Sequence, residues 1–323
     1  MQLATIGLDL AKNVFQVHGI PSEGKAVVRR TLRRREVLDF FARIEPCLVG
    51  MEACGTAHYW AREIARFGHD VRLMPPAYVK PYVKRNKNDA TDAEAICEAV
   101  SRPTMRFVPV KTAEQQSVLM LHRTRSLLVR QRTMIANAIR GHLAEFGIVA
   151  AQGVGNVVAL IERLISAPNQ DEPLPDLVPT LLAPLLATMN DLRQRIKMLE
   201  VEIVKLHRAN DVSRRLETIP GFGCITSTAI AAAVPDPSIF RSGREFAAWL
   251  GLTPRQNSSG GKERLGGITK MGDGYIRSLL VNGATAVIRF AKEEGSAKTI
   301  WIRRMLARKP ARMEAGHRKQ FCK

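Results

Sequence analysis

The sequence has no apolar run approaching the roughly 18–20 residues that a bilayer-spanning helix requires, and Met1 to Ile6 leads straight into a strand-like run with no secretory signal. A membrane protein and an exported one are both argued against, and a cytoplasmic protein is expected. Cysteine is sparse and unpatterned: Cys47, Cys54, Cys97, Cys224 and Cys322 are odd in number, contain no C-x-x-C pair and have no histidine at metal-ligand spacing. That argues against zinc and against a disulfide framework, and leaves small buried side chains in a reducing compartment. Aromatic residues make up only 6% of the chain, so few rings are available to stack on bases. Acids are also scarce, 30 against 49 lysines and arginines, for a formal charge of +19. Charge of this size and sign exceeds what solubility needs and attracts polyphosphate, which makes nucleic acid the leading partner.

What is present is enough apolar material, 46% of 323 residues, to bury more than one core. Ala4 to Asp9 and Val14 to Ile20 are short β-type runs separated by the turn-like Ala11-Lys12-Asn13, which predicts a hairpin, and a basic strand follows near Lys25 to Leu32. Pro46 to Ala53 has the length of a buried strand. Thr56 to Phe67 repeats at helical spacing, and Val71 to Met74 is a further strand stopped by Pro75-Pro76. Strands alternating with helices predict an α/β fold, continuing into a long helical run from Ala113 to Phe146. Pro168 to Pro184 reads as a linker. Beyond it Leu185, Met189, Leu192, Ile196, Leu199, Ile203 and Leu206 step by four and three, a coiled-coil seam whose readings are a helical hairpin, a dimer contact, or one amphipathic helix packed on its own domain. Ile219-Pro220-Gly221-Phe222-Gly223 before the apolar helix Ile225 to Val234 has the form of a helix-hairpin-helix, in which Gly221 and Gly223 let backbone N–H groups meet a phosphate; a plain turn between packed helices is the simpler reading. The organisation expected is a catalytic α/β domain over 1–150, a linker and coiled-coil helix over 151–210, and a mostly α-helical domain over 211–323.

Asp9 and Glu52 stand near the ends of apolar strands, where an unpaired carboxylate is costly and is usually paired with a cation or bound to metal. Asp89 and Asp92 begin a helix on one face. Capping would account for Asp89 taken alone, but the set of a strand Asp, a strand Glu and a helix-start Asp pair on a very basic chain points to a site. Several carboxylate oxygens without thiols or imidazoles suit two divalent ions roughly 3.5–4 Å apart, with Mg2+ the natural choice.

These residues carry a family resemblance. GLDLAKNVFQVHG around Asp9, GMEACGTAHYW around Glu52 and NKNDATDAEA around Asp89 and Asp92 resemble the DEDD motifs of RuvC-like insertion-sequence transposases of families 110 and 1111. LETIPGFGCITSTAIAA and FAAWLGLTPRQNSSGGKERLGGITKMGDGYIRSLLVNGA resemble the C-terminal transposase domain of the same family, so the likeness extends to about Phe290. It implies an RNase H-like N-terminal domain, Asp9, Glu52, Asp89 and Asp92 as metal ligands, and Ser259 as a nucleophile that forms a phosphoserine link to DNA. It also implies a homo-oligomer and a structured guide, the bridge RNA, that reads donor and target DNA by pairing. Ser258 is the adjacent competitor, and Lys262 and Arg264 have two readings, cations that orient the phosphate or ordinary solvated ones. The glycine loop is no nucleotide-binding P-loop, because Gln256 and Glu263 stand where Gly and Ser/Thr are required. The last residues, Met313 to Lys323, depart from the family pattern, which implies a truncated or frameshifted copy. The alternatives on the same residues are a structure-selective nuclease or junction resolvase that activates water with the four acids, and an inert nucleic-acid-binding remnant.

Overall fold

The computed structural model describes residues 3–21, 28–83, 88–166, 174–291 and 297–308. The chain divides into two compact units, one of residues up to Gln116 with Val234–Pro237, the other of Ser117–Ala233 with the chain from Ser238 onward.

The first unit is built on β1 (Thr5–Leu10), β2 (Val14–Ile20), β3 (Val28–Arg33), α1 (Val37–Ala42), β4 (Leu48–Glu52), α2 (Ala57–Ala65), β5 (Asp70–Met74), α3 (Pro76–Val79) and α4 (Asp89–Val100). The sheet order is β3-β2-β1-β4-β5, with β1, β2 and β3 antiparallel and β4 and β5 parallel to β1. The expected hairpin is present, its register pairing Leu8 with Val17 and Asp9 with Gln16. Period-two alternation sends Ile6, Leu8, Phe15, Val17, Val49 and Met51 to one face, where they bury against Phe41 of α1 and Trp60 and Ile64 of α2.

The opposite face carries Gly7 and Gly50, and α4 lies directly on them. A Cβ on Gly7 would sit 2.1 Å from the Ala93 carbonyl oxygen, and one on Gly50 would sit 2.7 Å from Val100 Cβ. The glycines are thus a slot for the helix. Because Ala93 and Cys97 sit over Gly7 while the Cys97 thiol faces the Thr5 carbonyl at 3.7 Å, α4 runs antiparallel to β1. Its N-terminus therefore arrives at the carboxyl end of β1.

The second unit is helical: α5 (Ala113–Ala144, which begins in the first unit), α6 (Val154–Ser166), α7 (Leu177–Ala209), α8 (Asp211–Glu217), α9 (Cys224–Ala233) and α10 (Gly243–Trp249), then the ribbon of β6 (Pro254–Gln256) and β7 (Leu265–Ile268), then α11 (Gly274–Phe290) and α12 (Ala297–Arg308). The linker reading is corrected here, and the seam falls to one of its open readings. The linker expected over Pro168 to Pro184 is helix from Leu177 on, with residues 168–173 outside the described set. Pro179 falls in the first turn of α7, where a missing N–H costs little, and Pro184 lies inside the helix. The stretch expected to be linker also contains α6, whose Val157, Ile161 and Leu164 pack with Ile139 and Leu143 of α5. The seam residues Met189, Leu192, Ile196 and Ile203 are already buried within the single chain, where α7 packs on α6, α8 and α9. Of the readings open to that pattern, the amphipathic helix packed on its own domain describes these four positions. The chain's end, Met313 to Lys323, lies outside the described residues, as does Cys322.

Candidate active site

At the carboxyl end of β1, one carboxylate oxygen from each of Asp9, Asp89 and Asp92 lies within 4.8 Å of the others. Local sequence explains the Asp89 and Asp92 placement. Asn88, not Asp89, caps α4: its side-chain oxygen accepts from the Thr91 N–H at 2.9 Å, and the Thr91 hydroxyl accepts from the Asn88 N–H at 3.1 Å. Capping therefore does not account for Asp89, and both aspartates occupy the first turn, where the helix dipole favours negative charge.

Asp9 is half-buried, and its carboxyl is pushed up to about 6, first by burial and then by the negative charges of Asp92, Asp89 and Glu52, against a smaller lowering by the Leu10 backbone N–H. Glu52 ends β4, the strand beside β1, and contributes to this field without joining the close set of three. Mutually repelling oxygens on a rigid frame, with no imidazole or thiol in the close set, fit a hard divalent cation: Asp9, Asp89 and Asp92 would hold it, with Glu52 at the rim.

Ser258 and Ser259 lie in the ribbon of the second unit. Gly260 and Gly261 have φ of +56° and +76°, and the Lys262 N–H donates to the Ser259 carbonyl at 3.1 Å, the geometry of a two-residue primed hairpin turn. The Ser258 hydroxyl accepts from the Arg264 N–H at 3.1 Å, so it is engaged by the ribbon's own backbone. Among the described residues the Ser259 hydroxyl has no hydrogen-bond partner. Lys262 and Arg264 are exposed. Gly221 is required by packing, since its φ is +88° and a Cβ there would lie 2.9 Å from the Gly283 backbone, so α11 rests directly on this turn. Gly223 is exposed at the start of α9.

Sequence reasoning missed a buried polar chain in the second unit. Thr228 Oγ1 lies 2.7 Å from the Cys224 carbonyl and 3.2 Å from that of Ile225, so its hydrogen is committed there and the oxygen accepts from His122 Nε2–H at 3.0 Å. His122 Nδ1 is then the acceptor for the Tyr275 hydroxyl at 3.1 Å. Arg125 donates to Tyr275 and, at 2.6 and 2.9 Å, to Glu200. The chain joins α5, α7, α9 and α11, and Tyr275 lies in the first turn of α11, its backbone N–H donating to the Asp273 cap. Its only sequence signal was a histidine on a long helix, which carries no information about partners.

Two family models match the chain in order, the first running past the end of the first unit into α5. A family model described as Transposase, of the DEDD IS110 type, matches residues 6–148, and one described as Transposase IS116/IS110/IS902 family matches residues 213–299. The chain is 51% identical over 316 residues to a probable family 20 transposase of Pseudomonas aeruginosa, covering 98% of this chain and 93% of that one. It is 41% identical to the transposase for insertion sequence element IS1328 of Yersinia enterocolitica, covering 94% and 89%, and 38% identical to that of IS1111A of Coxiella burnetii, covering 94% and 83%. With both halves matched in order and the identities running along nearly its whole length, this chain belongs to the IS110/IS116/IS902 family of insertion-sequence transposases, enzymes that act on DNA.

Proposed function

We propose that this transposase breaks and rejoins DNA strands through a Mg2+-dependent acid site in an RNase H-like first unit and a serine nucleophile in the second, with a bridge RNA supplying sequence recognition. The observation that carries the reading is the convergence of Asp9, Asp89 and Asp92 within 4.8 Å at the carboxyl end of the central strand, beside Glu52. The sheet order 3-2-1-4-5, with three antiparallel strands followed by two parallel ones, is the arrangement that supports the RNase H-like assignment. A divalent ion held there screens phosphate charge and lowers the pKa of an attacking hydroxyl.

Ser259 is assigned the attack because its hydroxyl is uncommitted while that of Ser258 is tied to the Arg264 N–H. Its oxygen forms a bond to phosphorus, the bond to the leaving strand's oxygen breaks, and the serine proton is released as that oxygen takes one up. Lys262 and Arg264 flank the phosphate, and Gly223 offers a backbone N–H at the start of α9 in a helix-hairpin-helix contact to DNA. Arg and Lys in excess over aromatic rings suit a protein that neutralises backbone while base pairing reads sequence. A homo-oligomer would let acids and serine come from different copies.

The test is cleavage of element-end DNA with the cognate RNA. EDTA and the single changes Asp9→Asn, Asp89→Asn and Asp92→Asn abolish strand breakage, and peptide mapping of trapped complexes finds DNA on Ser259. Cleavage by Ser259→Ala at the wild-type rate would transfer the chemistry to water and make the enzyme a nuclease of the resolvase type. A DNA adduct on Ser258 would overturn the serine assignment alone.

A further inference from the structure

The end of the sheet that carries the acids also carries a cluster of arginines that the reaction has not used. The β1–β2 turn at 11–13 lies next to Asp9 in sequence, and β3 ends opposite it, with Val14 paired to Arg33. An open concavity of about 440 Å³ lies there, lined by Asn13, Val14, Arg33, Arg34 and Arg35. All three arginines are exposed. Arg34 is held in place: its backbone N–H donates to the Asn13 carbonyl at 2.9 Å, its guanidinium reaches the Lys12 carbonyl at 3.5 Å, and it lies 5.0 Å over the ring of the buried Trp60. Such a stack fixes a guanidinium that would otherwise lose rotamer freedom on binding.

We infer that this concavity is a phosphate subsite for the backbone of the DNA strand being cut, adjoining the acid site within the same unit. The subsite presupposes that the acids are where the strand is cleaved. Adjacent strands lie ~4.8 Å apart, which puts β3 about 10 Å from β1. Phosphates of each strand recur every ~3.4 Å of helix axis and lie farther apart than that along the strand itself, so a strand with one phosphate at the acids brings another to the β3 edge within a few nucleotides. Guanidinium groups recognise phosphate by paired N–H donors. No aromatic ring lines the concavity, and Val14 is its one apolar lining residue, so the contact is to sugar and phosphate and carries no base preference.

The experiment is fluorescence anisotropy of the full chain with a labelled single-stranded DNA oligonucleotide, in EDTA, across a salt series. Each phosphate contact on a single strand contributes ~0.7 to the slope of log affinity against log salt, so Arg33→Ala with Arg35→Ala lowers the slope by ~1.4. The lysine pair Arg33→Lys with Arg35→Lys restores it, and Arg193→Ala with Lys197→Ala, exposed cations on α7, leaves it unchanged. Melting of each variant is followed in parallel, and Arg33→Gln with Arg35→Gln replaces any alanine pair that fails to fold. An unchanged slope in the concavity variants, an equal fall in the α7 variants, or a fall seen with RNA of the same sequence and not with DNA overturns the subsite. Because no cation or cleavage enters the measurement, failure of the metal reading shows up separately, as cleavage that survives Asp9→Asn.

Discussion

Acidification should destabilise the second unit through one residue, His122. The ring is fully enclosed, its Nε2–H is given to Thr228 and its Nδ1 accepts from Tyr275. A second ring proton would face the Tyr275 hydroxyl in a site that excludes water, beside the Arg125 cation. Burial first, and Arg125 second, lower the pKa from 6.5 to about 4. The folded value lies below the unfolded one, so above about 6.5 the residue is neutral in both states and has no effect. Below that the unfolded chain takes up a proton that the folded chain refuses, and stability falls until the folded pKa is reached. At ~1.36 kcal/mol per pH unit the full loss is about 3 kcal/mol, and about 2 kcal/mol has gone by pH 5. Urea unfolding at pH 7 and pH 5, followed by far-UV circular dichroism, measures it. Other carboxylates titrate in this range, so the quantity to compare is the pH effect in the wild type minus that in His122→Gln, whose amide can both donate to Thr228 and accept from Tyr275 without titrating. A difference under about 0.5 kcal/mol would refute the closed, neutral histidine. A His122 ring that titrates above pH 6 by NMR would do the same.

Three further outcomes are expected. Asp9 has a folded pKa above its unfolded one, so its contribution to stability is lost as pH rises from 3.8 through about 6; Asp9→Asn should raise stability at pH 7 in EDTA by about 1–2 kcal/mol after discounting for partial exposure, measured by thermal melting, and should remove any stabilisation by Mg2+. Gly283→Ala would place a Cβ 2.0 Å from the Gly221 carbonyl oxygen and should cost about 3 kcal/mol, visible as a lowered urea midpoint, whereas Gly267→Ala, with open space around it, should change little. Leu192→Asp should destabilise the chain by about 3–5 kcal/mol, with a melting temperature independent of protein concentration, because the side chain is buried inside one molecule; a concentration-dependent loss would restore the dimer seam.

The α/β unit was readable because its strands alternate cleanly and its turns are marked: Ala11-Lys12-Asn13 breaks the hairpin, and Pro75-Pro76 stops β5. Asp9 and Glu52 stood out as charges on apolar strands. The set of acids and the family resemblance pointed to one site; what sequence could not supply was the packing that brings Asp89 and Asp92 to Asp9, with α4 lying over Gly7 and Gly50, a contact between residues far apart in the chain. The capping role that competed for Asp89 fell to Asn88, one residue earlier, and local chemistry did not distinguish the two beforehand. The prolines in α7 misled because proline marks a boundary only on average, and a first-turn proline loses nothing. The α7 seam left its readings open because a four-three stripe records that a helix is buried on one side, with no statement of whose surface covers it. For Ser259 no local feature in the sequence separated it from Ser258, and only the family resemblance preferred it; in the ribbon it is the Ser258 hydroxyl that the Arg264 N–H meets.

The slot formed by Gly7 and Gly50 ties the spacing of the acids to backbone contact. Asp89 and Asp92 are carried on a helix whose backbone at Ala93 and Cys97 rests directly on Gly7 and whose Val100 side chain fills the space over Gly50, so their distance from Asp9 follows from how closely the helix meets the sheet. A methyl group at position 7 would lift the helix and move both aspartates together while leaving every acid in the sequence. The reach of one carboxylate toward another is thereby set by residues that have no chemistry of their own, and drift at these two glycines would disperse the cluster without removing an acid.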